Sequence, residues 1–269
     1  MLEDWIGRRE EVSDIVDRVR SFALSATLGE PAAPTDAMPP LHHWLLFWSA
    51  TPPGETGIDG HPRRGGFLPP IEAPRRMWAG GAVDLLKPLL FGERIRKISE
   101  ITGIKQKSGA SGALVFVTVA HEIHGESGLA IRERQDLGYR DMPTGAAPPV
   151  PAADVSPAWR EDKRIDPILL FRFSALTFNS HRIHYDRDFA TGTELYPGLV
   201  VHGPLQAVLM MTLYCRYAGR QPASFEYRGV SPAFDLHPIS VCGSPESGGA
   251  QLWVEQNGSI TMKAHAAGA

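Results

Sequence analysis

The clearest pattern of hydrophobic and polar positions lies between Leu205 and Ala218. Apolar side chains recur there nearly all round a helical wheel, with only Gln206, Thr212 and Arg216 clearly polar. Such a pattern predicts a helix buried on most sides rather than one lying on a surface. Its ends carry matching signals: Pro204 suits the first helical position, Arg216 the last turn and Gly219 a left-handed cap. Stretches that alternate apolar and polar follow, and predict strands at Ser224–Gly229, Ile239–Gly243, Gln251–Glu255 and Ile260–His265. Ile168–Thr177 alternates well enough to read as one more strand ahead of the helix. A strand, one buried helix and four antiparallel strands imply a curved sheet wrapped around a single helix, an α+β arrangement.

Earlier in the chain the pattern is less regular. Ile15, Val16, Val19 and Phe22 fall at helical spacing within Trp5–Phe22, and Asp36–Trp48 offers a second short helix before the turn-rich stretch Thr51–Pro70. Beyond it, "GERIRKISEITGIKQKSG" alternates imperfectly at Ile95, Ile98, Ile101 and Ile104. The run "ALVFVTVAHEIHGESGLAIRERQDLGY" reads as two strands joined by a turn at Gly125–Gly128. Asp141–Lys163, "DMPTGAAPPVPAADVSPAWREDK", shows neither period and is rich in Pro and Ala, as a linker is. The expected division is therefore 1–140, a linker over 141–164, and 165–269.

Composition narrows the function classes. The 269 residues carry 27 basic and 30 acidic side chains, a net charge of -3, with no long basic run. The field of a nucleic-acid or anionic-membrane binder is absent, which leaves small molecules or copies of the same chain as partners. Cys215 and Cys242 are the only cysteines and form no closely spaced pair, so a reducing cytoplasm fits and a cysteine zinc site does not. The longest apolar region, Leu199–Cys215, is interrupted by His202, Gly203, Pro204 and Gln206, and the first residues lack a signal peptide's apolar core. A soluble intracellular protein is the expectation. "HEIHGE", His121 to Glu126, lacks the helical spacing of a zinc site and reads as a solvated strand end. Neither a Gly-rich phosphate loop after a strand nor a G-x-S-x-G elbow occurs.

Chemistry concentrates in "FNSHRIHYDRDFA", Phe178 to Ala190, and in "YPGLVVHGPLQA", which enters the buried helix. Together these stretches resemble the MaoC-like, or R-specific, enoyl-CoA hydratases of the hot-dog fold. That family's loop has an aspartate, then Asn-Pro, one residue and a histidine, with a histidine-glycine pair downstream at the start of the helix. Here Asn179 stands at the aspartate, His181 and Arg182 replace Asn-Pro, His184 falls on the catalytic histidine, and His202 with Gly203 match the helix entry. "SALTFNSHRIHYD" with "YPGLVVHGP" is similar to a subgroup with two hot-dog folds that includes mesaconyl-CoA and itaconyl-CoA hydratases. The resemblance implies two tandem hot-dog folds, each an antiparallel sheet around a central helix. The N-terminal one would be degenerate and bind substrate, and the C-terminal one would supply the chemistry. It implies an acyl-CoA substrate, no metal or redox cofactor beyond that coenzyme A, and a homodimer.

Hydration of an unsaturated thioester needs a base for the water proton, an acid for the alpha carbon and donors for the enolate-like oxygen. His184 is the candidate for proton transfer, since imidazole accepts and returns a proton near neutral pH. Gly203 would hold the thioester oxygen at a helix N-terminus, where amides lack internal partners. Asn179 can orient water or substrate but, as a carboxamide, cannot carry the proton. Asp186, the nearest carboxylate, could orient His184 or pair with Arg182 or Arg187. His181 and His202 read as loop-bracing hydrogen-bond donors, and Tyr185 and His202 stand beside the candidate site. In "RRMWAGG", either Arg75 or Arg76, beside Trp78, could receive a substrate carboxylate, or the stretch could be an ordinary turn with a packed Trp78. The fold also hosts thioesterases, and a non-catalytic acyl-CoA-binding module would accommodate Asn179.

Overall fold

The computed structural model describes residues 1–31, 35–109, 112–142 and 156–268. Ten strands form one antiparallel sheet: β1 (Arg9–Ile15), β2 (Arg75–Leu85), β3 (Arg94–Gly109), β4 (Gly112–Gly125), β5 (Gly128–Arg140), β6 (Trp159–Lys163), β7 (Ser224–Gly229), β8 (Ile239–Glu246), β9 (Gly249–Gln256) and β10 (Ser259–Ala267). Their spatial order is β1-β3-β4-β5-β2-β7-β10-β9-β8-β6. The first five strands thus make one half and the last five the other, and β2 and β7 join them through Gly80↔Arg228 to Asp84↔Ser224. Glycine is needed at this seam, because a Cβ on Gly81 would collide with the Arg134 carbonyl and the Tyr227 hydroxyl. "RRMWAGG" is therefore the start of a central strand, not a turn.

Helix α3 (Gly203–Ala218) realises the buried helix of the sequence pattern, with Pro204 in its first turn and Gly219 at φ 68° as its cap. Leu205, Val208, Met210 and Leu213 are buried against Val241 of β8, Leu252 and Val254 of β9 and Met262 of β10 in one apolar cluster. Each such side chain contributes about 1.5–3 kcal/mol by leaving water. The strands after α3 fall where the alternation places them.

Three elements differ from the pattern reading. Ile168–Thr177 is not a strand: Pro167–Leu176 forms helix α2, capped by Asp166, whose side chain accepts from Leu169 N at 2.9 Å. Leu170, Phe173 and Ser174 are its buried positions, a helical spacing that the continuous apolar run obscures. Trp5–Phe22 is not one helix either. β1 ends at Ile15, and Asp17 then caps helix α1 (Arg18–Leu28), accepting from Val19 N at 2.7 Å and Arg20 N at 3.1 Å. Val19 and Phe22 are exposed, so they make no core stripe. Within Asp36–Trp48 only a single 3-10 turn forms, His42–Leu45. Residues 143–155 of the Pro/Ala-rich interval lie outside the described residues, but the interval is not linker throughout, since Trp159–Lys163 is edge strand β6, paired with β8.

α1 packs against α2 and the 3-10 turn rather than lying across β3–β5. The concave face of the first half therefore borders a cavity, where the second half has α3.

Candidate active site

The cavity has a volume of about 850 Å³ and draws its wall from both halves. The first half contributes Arg76 and Trp78 of β2, Lys97 of β3, His121 of β4 and Glu133 and Gln135 of β5; the second contributes Phe173, Asn179, Ser180 and Pro204. Glu133 is buried, yet it accepts from His43 Nε2 at 3.1 Å, Trp44 Nε1 at 2.8 Å and Gln135 Nε2 at 2.7 Å. Burial pushes its carboxyl up, but the His43 hydrogen bond, the fields of His43 and His121 and the Gln135 bond together outweigh this and bring it down to about 2.

The histidine-rich loop starts where α2 stops. Thr177 N still bonds Phe173 O at 3.0 Å, Phe178 turns into the left-handed region at φ 51°, and Asn179 N returns to Ser174 O at 2.8 Å. The Asn179 side-chain oxygen then accepts from His181 N at 3.0 Å, which starts the 3-10 turn Arg182–His184. One end of the carboxamide is committed to bracing the loop, and its Nδ2 is left for the cavity that Asn179 lines.

His184 is buried behind this wall, and its Nδ1 lies 2.8 Å from the Val200 carbonyl oxygen. A carbonyl can only accept, so Nδ1 carries the hydrogen and Nε2 keeps its lone pair. The His202 ring stacks on His184 at 3.6 Å, the His181 ring meets it edge-on at 5.4 Å, and His61 approaches His181 at 4.5 Å. All four imidazoles are pushed toward the neutral form. Burial, then the field of His181, brings His184 down to about 3 against the opposing Val200 hydrogen bond; burial, then Arg76, does the same to His181. Burial is also the first cause for His61 and His202, which lie well below the usual imidazole value. Such a group is free at neutral pH to accept a proton and returns it readily. Four rings in a row are not a ligand set: among the described residues, no group of three or more His, Cys, Asp or Glu could hold a metal ion.

Gly203 opens α3, so its N–H is one of the amides without a partner inside the helix. A Cβ on Gly203 would stand 2.7 Å from Trp78 Cε3, so glycine lets the Trp78 ring close over the helix entry. Trp78 in turn stacks on Tyr227 at 4.3 Å.

Several sequence candidates stand elsewhere than expected. Arg75 is buried away from the cavity and bound to Glu194 by Nε at 3.0 Å and by Nη2 to the Glu194 carbonyl, so it is no open carboxylate receptor. Arg76, its neighbour on the opposite face of β2, lines the cavity with no hydrogen bond or ion pair to any described residue. Asp186 does not orient His184; it accepts from Arg182 Nε at 2.9 Å and Nη2 at 2.7 Å and from Phe189 N at 3.0 Å. Tyr185 is exposed and bonds the Ser180 carbonyl at 3.0 Å. His202 is fully buried beneath His184, with Nε2 2.8 Å from Ser174 Oγ, so it braces and does not touch substrate. His121 is no solvated strand end: it is buried, with Nδ1 2.9 Å from Ser99 Oγ. The residues that sequence reasoning missed are His61 and Glu133. Glu133 sits between Arg132 and Arg134 and reads as surface; only its pairing with His121 places it inward.

The ten-stranded antiparallel sheet with one helix-covered half, an imidazole beside a helix N-terminus and a cavity walled by both halves make up the candidate site. The model of the hydroxyacyl-thioester dehydratase type 2 family matches residues 41–235, and the chain belongs to that family. It is 47% identical over 246 residues to the mesaconyl-C(4)-CoA hydratase of Chloroflexus aurantiacus, covering 90% of this chain and 88% of that one. Its fold is that of HtdX of Mycobacterium tuberculosis, with a TM-score of 0.73 at 16% identity over 97% of this chain and 100% of that one. A second Mycobacterium tuberculosis protein, described as having a double hot-dog fold, gives 0.57 at 12% identity over 97% and 95%. The α+β double hot-dog expectation holds, and the chain is an enzyme of the hydratase and dehydratase type. Among the described residues no helix is long and apolar enough to cross a membrane.

Proposed function

We propose that the chain hydrates a short branched dicarboxylic enoyl-CoA of the mesaconyl-CoA or itaconyl-CoA kind, reversibly, to a 3-hydroxyacyl-CoA such as citramalyl-CoA. The observation that carries this reading is Arg76, a guanidinium with no hydrogen bond or ion pair to any described residue, on the wall of a cavity that mixes polar side chains with apolar ones such as Val119, Leu137 and Phe173. A hydrocarbon acyl chain would strand that charge, whereas a substrate carboxylate pairs with it. The similarity to a mesaconyl-C(4)-CoA hydratase supports the same substrate class.

In this reading residues 1–140 hold the acyl group and residues 165–269 supply the chemistry. Asn179 Nδ2 and His184 Nε2 orient a water on the beta carbon. As the water oxygen bonds to that carbon, one of its O–H bonds breaks and the proton passes to His184 Nε2. The double-bond electrons move onto the thioester oxygen, which the Gly203 N–H and the helix dipole stabilise. The imidazolium then hands its proton to the alpha carbon, and the enzyme is restored. No further cofactor enters this sequence; the coenzyme A is part of the substrate. A cytoplasmic homodimer belongs to the same reading, and sedimentation equilibrium checks its size.

The test is to incubate the purified protein and its His184→Ala variant with mesaconyl-CoA, itaconyl-CoA and crotonyl-CoA and to follow each thioester by mass spectrometry. Gain of one water on a dicarboxylic substrate by the wild type alone is the expected result. Free coenzyme A would make the chain a thioesterase, and binding without turnover an acyl-CoA-binding module.

A further inference from the structure

We propose that His61, carried by the turn-rich segment of the N-terminal half, is a substrate-binding residue that completes a two-donor carboxylate receptor with Arg76. The proposal rests on the dicarboxylic reading above and specifies how that site recognises the second carboxylate.

The turn that carries His61 is built onto the histidine-rich loop. Within it, Gly57 N bonds His61 O at 2.7 Å, Gly60 N bonds Gly57 O at 3.0 Å, and His61 N bonds Asp59 Oδ1 at 3.1 Å. Across the gap, Arg182 N bonds Asp59 O at 2.9 Å, Arg182 Nη1 bonds Ile58 O at 3.1 Å, and Ser180 Oγ bonds Gly60 O. Gly60 has φ +88°, and a Cβ there would collide with the Ser180 carbonyl, so the close approach requires glycine. Segments some 120 positions apart in sequence are thereby held as one unit.

On that unit the His61 ring lines the cavity, and its nitrogens bond no described residue. Arg76 lines the same cavity, and after burial its charge is the strongest influence on His61. His61 is part-buried, so its ring nitrogens open onto the cavity beside the Arg76 guanidinium and are available to a ligand. A neutral imidazole offers one N–H and the guanidinium several, a combination that suits a carboxylate.

The chemistry of the substrate fixes where such a receptor must stand. In a mesaconyl thioester acylated at the carboxyl remote from the methyl branch, the free carboxylate is attached directly to the carbon that receives the water. It must therefore lie beside the water-handling histidine. His61 meets that requirement: its ring is 4.5 Å from His181, whose ring is 5.4 Å from His184. Three other cations line the wall: Arg64 is bonded to the Ile71, Ala73 and Pro74 carbonyls, Arg63 bonds the Thr56 carbonyl at 3.5 Å, and Lys97 stands with Glu10 and Glu133 on the sheet face of the first half, where a further carboxylate would meet two others. Arg75 is already bound to Glu194.

The experiment compares kcat/KM for mesaconyl-CoA and crotonyl-CoA in the wild type, His61→Phe and His61→Gln. Phenylalanine keeps a ring against His181 but donates nothing, whereas glutamine retains a donor. The expected result is a preference for mesaconyl-CoA that falls roughly 10- to 100-fold in His61→Phe, mainly through KM, and is largely recovered in His61→Gln. A wild type that prefers mesaconyl-CoA while His61→Phe keeps the same preference overturns the role of His61 alone. Equal losses on both substrates also overturn it, since they make His61 structural or part of the proton transfer. A wild type that prefers crotonyl-CoA overturns the dicarboxylic reading and this inference with it.

Discussion

The two halves of the sheet differ in what their concave faces carry and in what covers them. In the second half, Ile239, Val241, Leu252, Val254 and Met262 face α3 and are all buried. In the first half the corresponding face carries Lys97, His121, Glu133 and Gln135 among Val119, Ile123, Leu137 and Tyr139, and among the described residues no helix packs on it as α3 does on the other. One half covers its concave face with α3 as a core, and the other keeps it as a cavity wall in which charged and polar side chains stand among apolar ones. The comparison teaches that function here follows from what is left uncovered. His184 is held by the Val200 carbonyl and stacks on His202, the residue that caps α3, whereas on the other half no such helix among the described residues covers the face and a cavity remains.

Substitutions probe the two halves one at a time. If the chemistry belongs to the second half, His184→Gln lowers kcat by about 10³-fold with the fold intact, which steady-state kinetics and circular dichroism check together. Acid tests both halves at once. His42 and His121 in the first half are brought down to about 4, and His181 and His184 in the second to about 3, burial being the first cause in each. A histidine held neutral in the fold binds its proton more readily when unfolded, so its contribution is complete above pH 6.5 and is lost as pH falls. Each such group costs about 1.4 kcal/mol per pH unit within its window. Thermal melting should thus drop steeply between pH 6.5 and 5, whereas Glu133, held near 2, loses its contribution only below about pH 4.5. A flat melting temperature over that upper range contradicts the buried neutral assignment.

Within the second half, Leu205→Ala removes a fully buried contact between α3 and the sheet and should cost about 3 kcal/mol in urea unfolding. On the cavity wall of the first half, Glu133→Gln keeps the size but replaces an acceptor of three hydrogen bonds with a neutral amide, and the expected loss is about 2 kcal/mol. Tyr185→Phe gives up one exposed hydrogen bond to the Ser180 carbonyl and should cost no more than about 0.5 kcal/mol. A larger loss at Tyr185 than at Leu205 would show that the loop, not α3, anchors the site.

How much of this was legible in the chain depended on whether the signal was local. The all-round apolar pattern of Leu205–Ala218 with Pro204 and Gly219 marks α3 at both ends, and the strands after it alternate cleanly because one face of each meets that helix. "FNSHRIHYDRDFA" marks the loop because its polar crowding is contiguous. Helix α2 was harder, since Ile168–Phe171 is a continuous apolar run that suits a strand or a helix, although Asp166-Pro167 is a cap signal in its own right. Neither the choice between Arg75 and Arg76 nor the part played by His61 could be read. Adjacent positions on a strand face opposite sides, and only the register of β2 against β5 shows that Arg76 turns to the cavity. His61 reaches the site through a turn whose partners, Ser180 and Arg182, are far away in sequence.

The most direct test of the central claim is the ratio of kcat/KM for mesaconyl-CoA to that for trans-2-decenoyl-CoA, in the wild type and in Arg76→Met. A cavity wall carrying the Arg76 guanidinium with no partner among the described residues predicts a strong wild-type preference for the dicarboxylic thioester. The ratio should collapse by about 100-fold in the variant, the loss expected for a charge-assisted pair. A wild type that favours the decenoyl chain, or a ratio that survives loss of the guanidinium, would contradict the account.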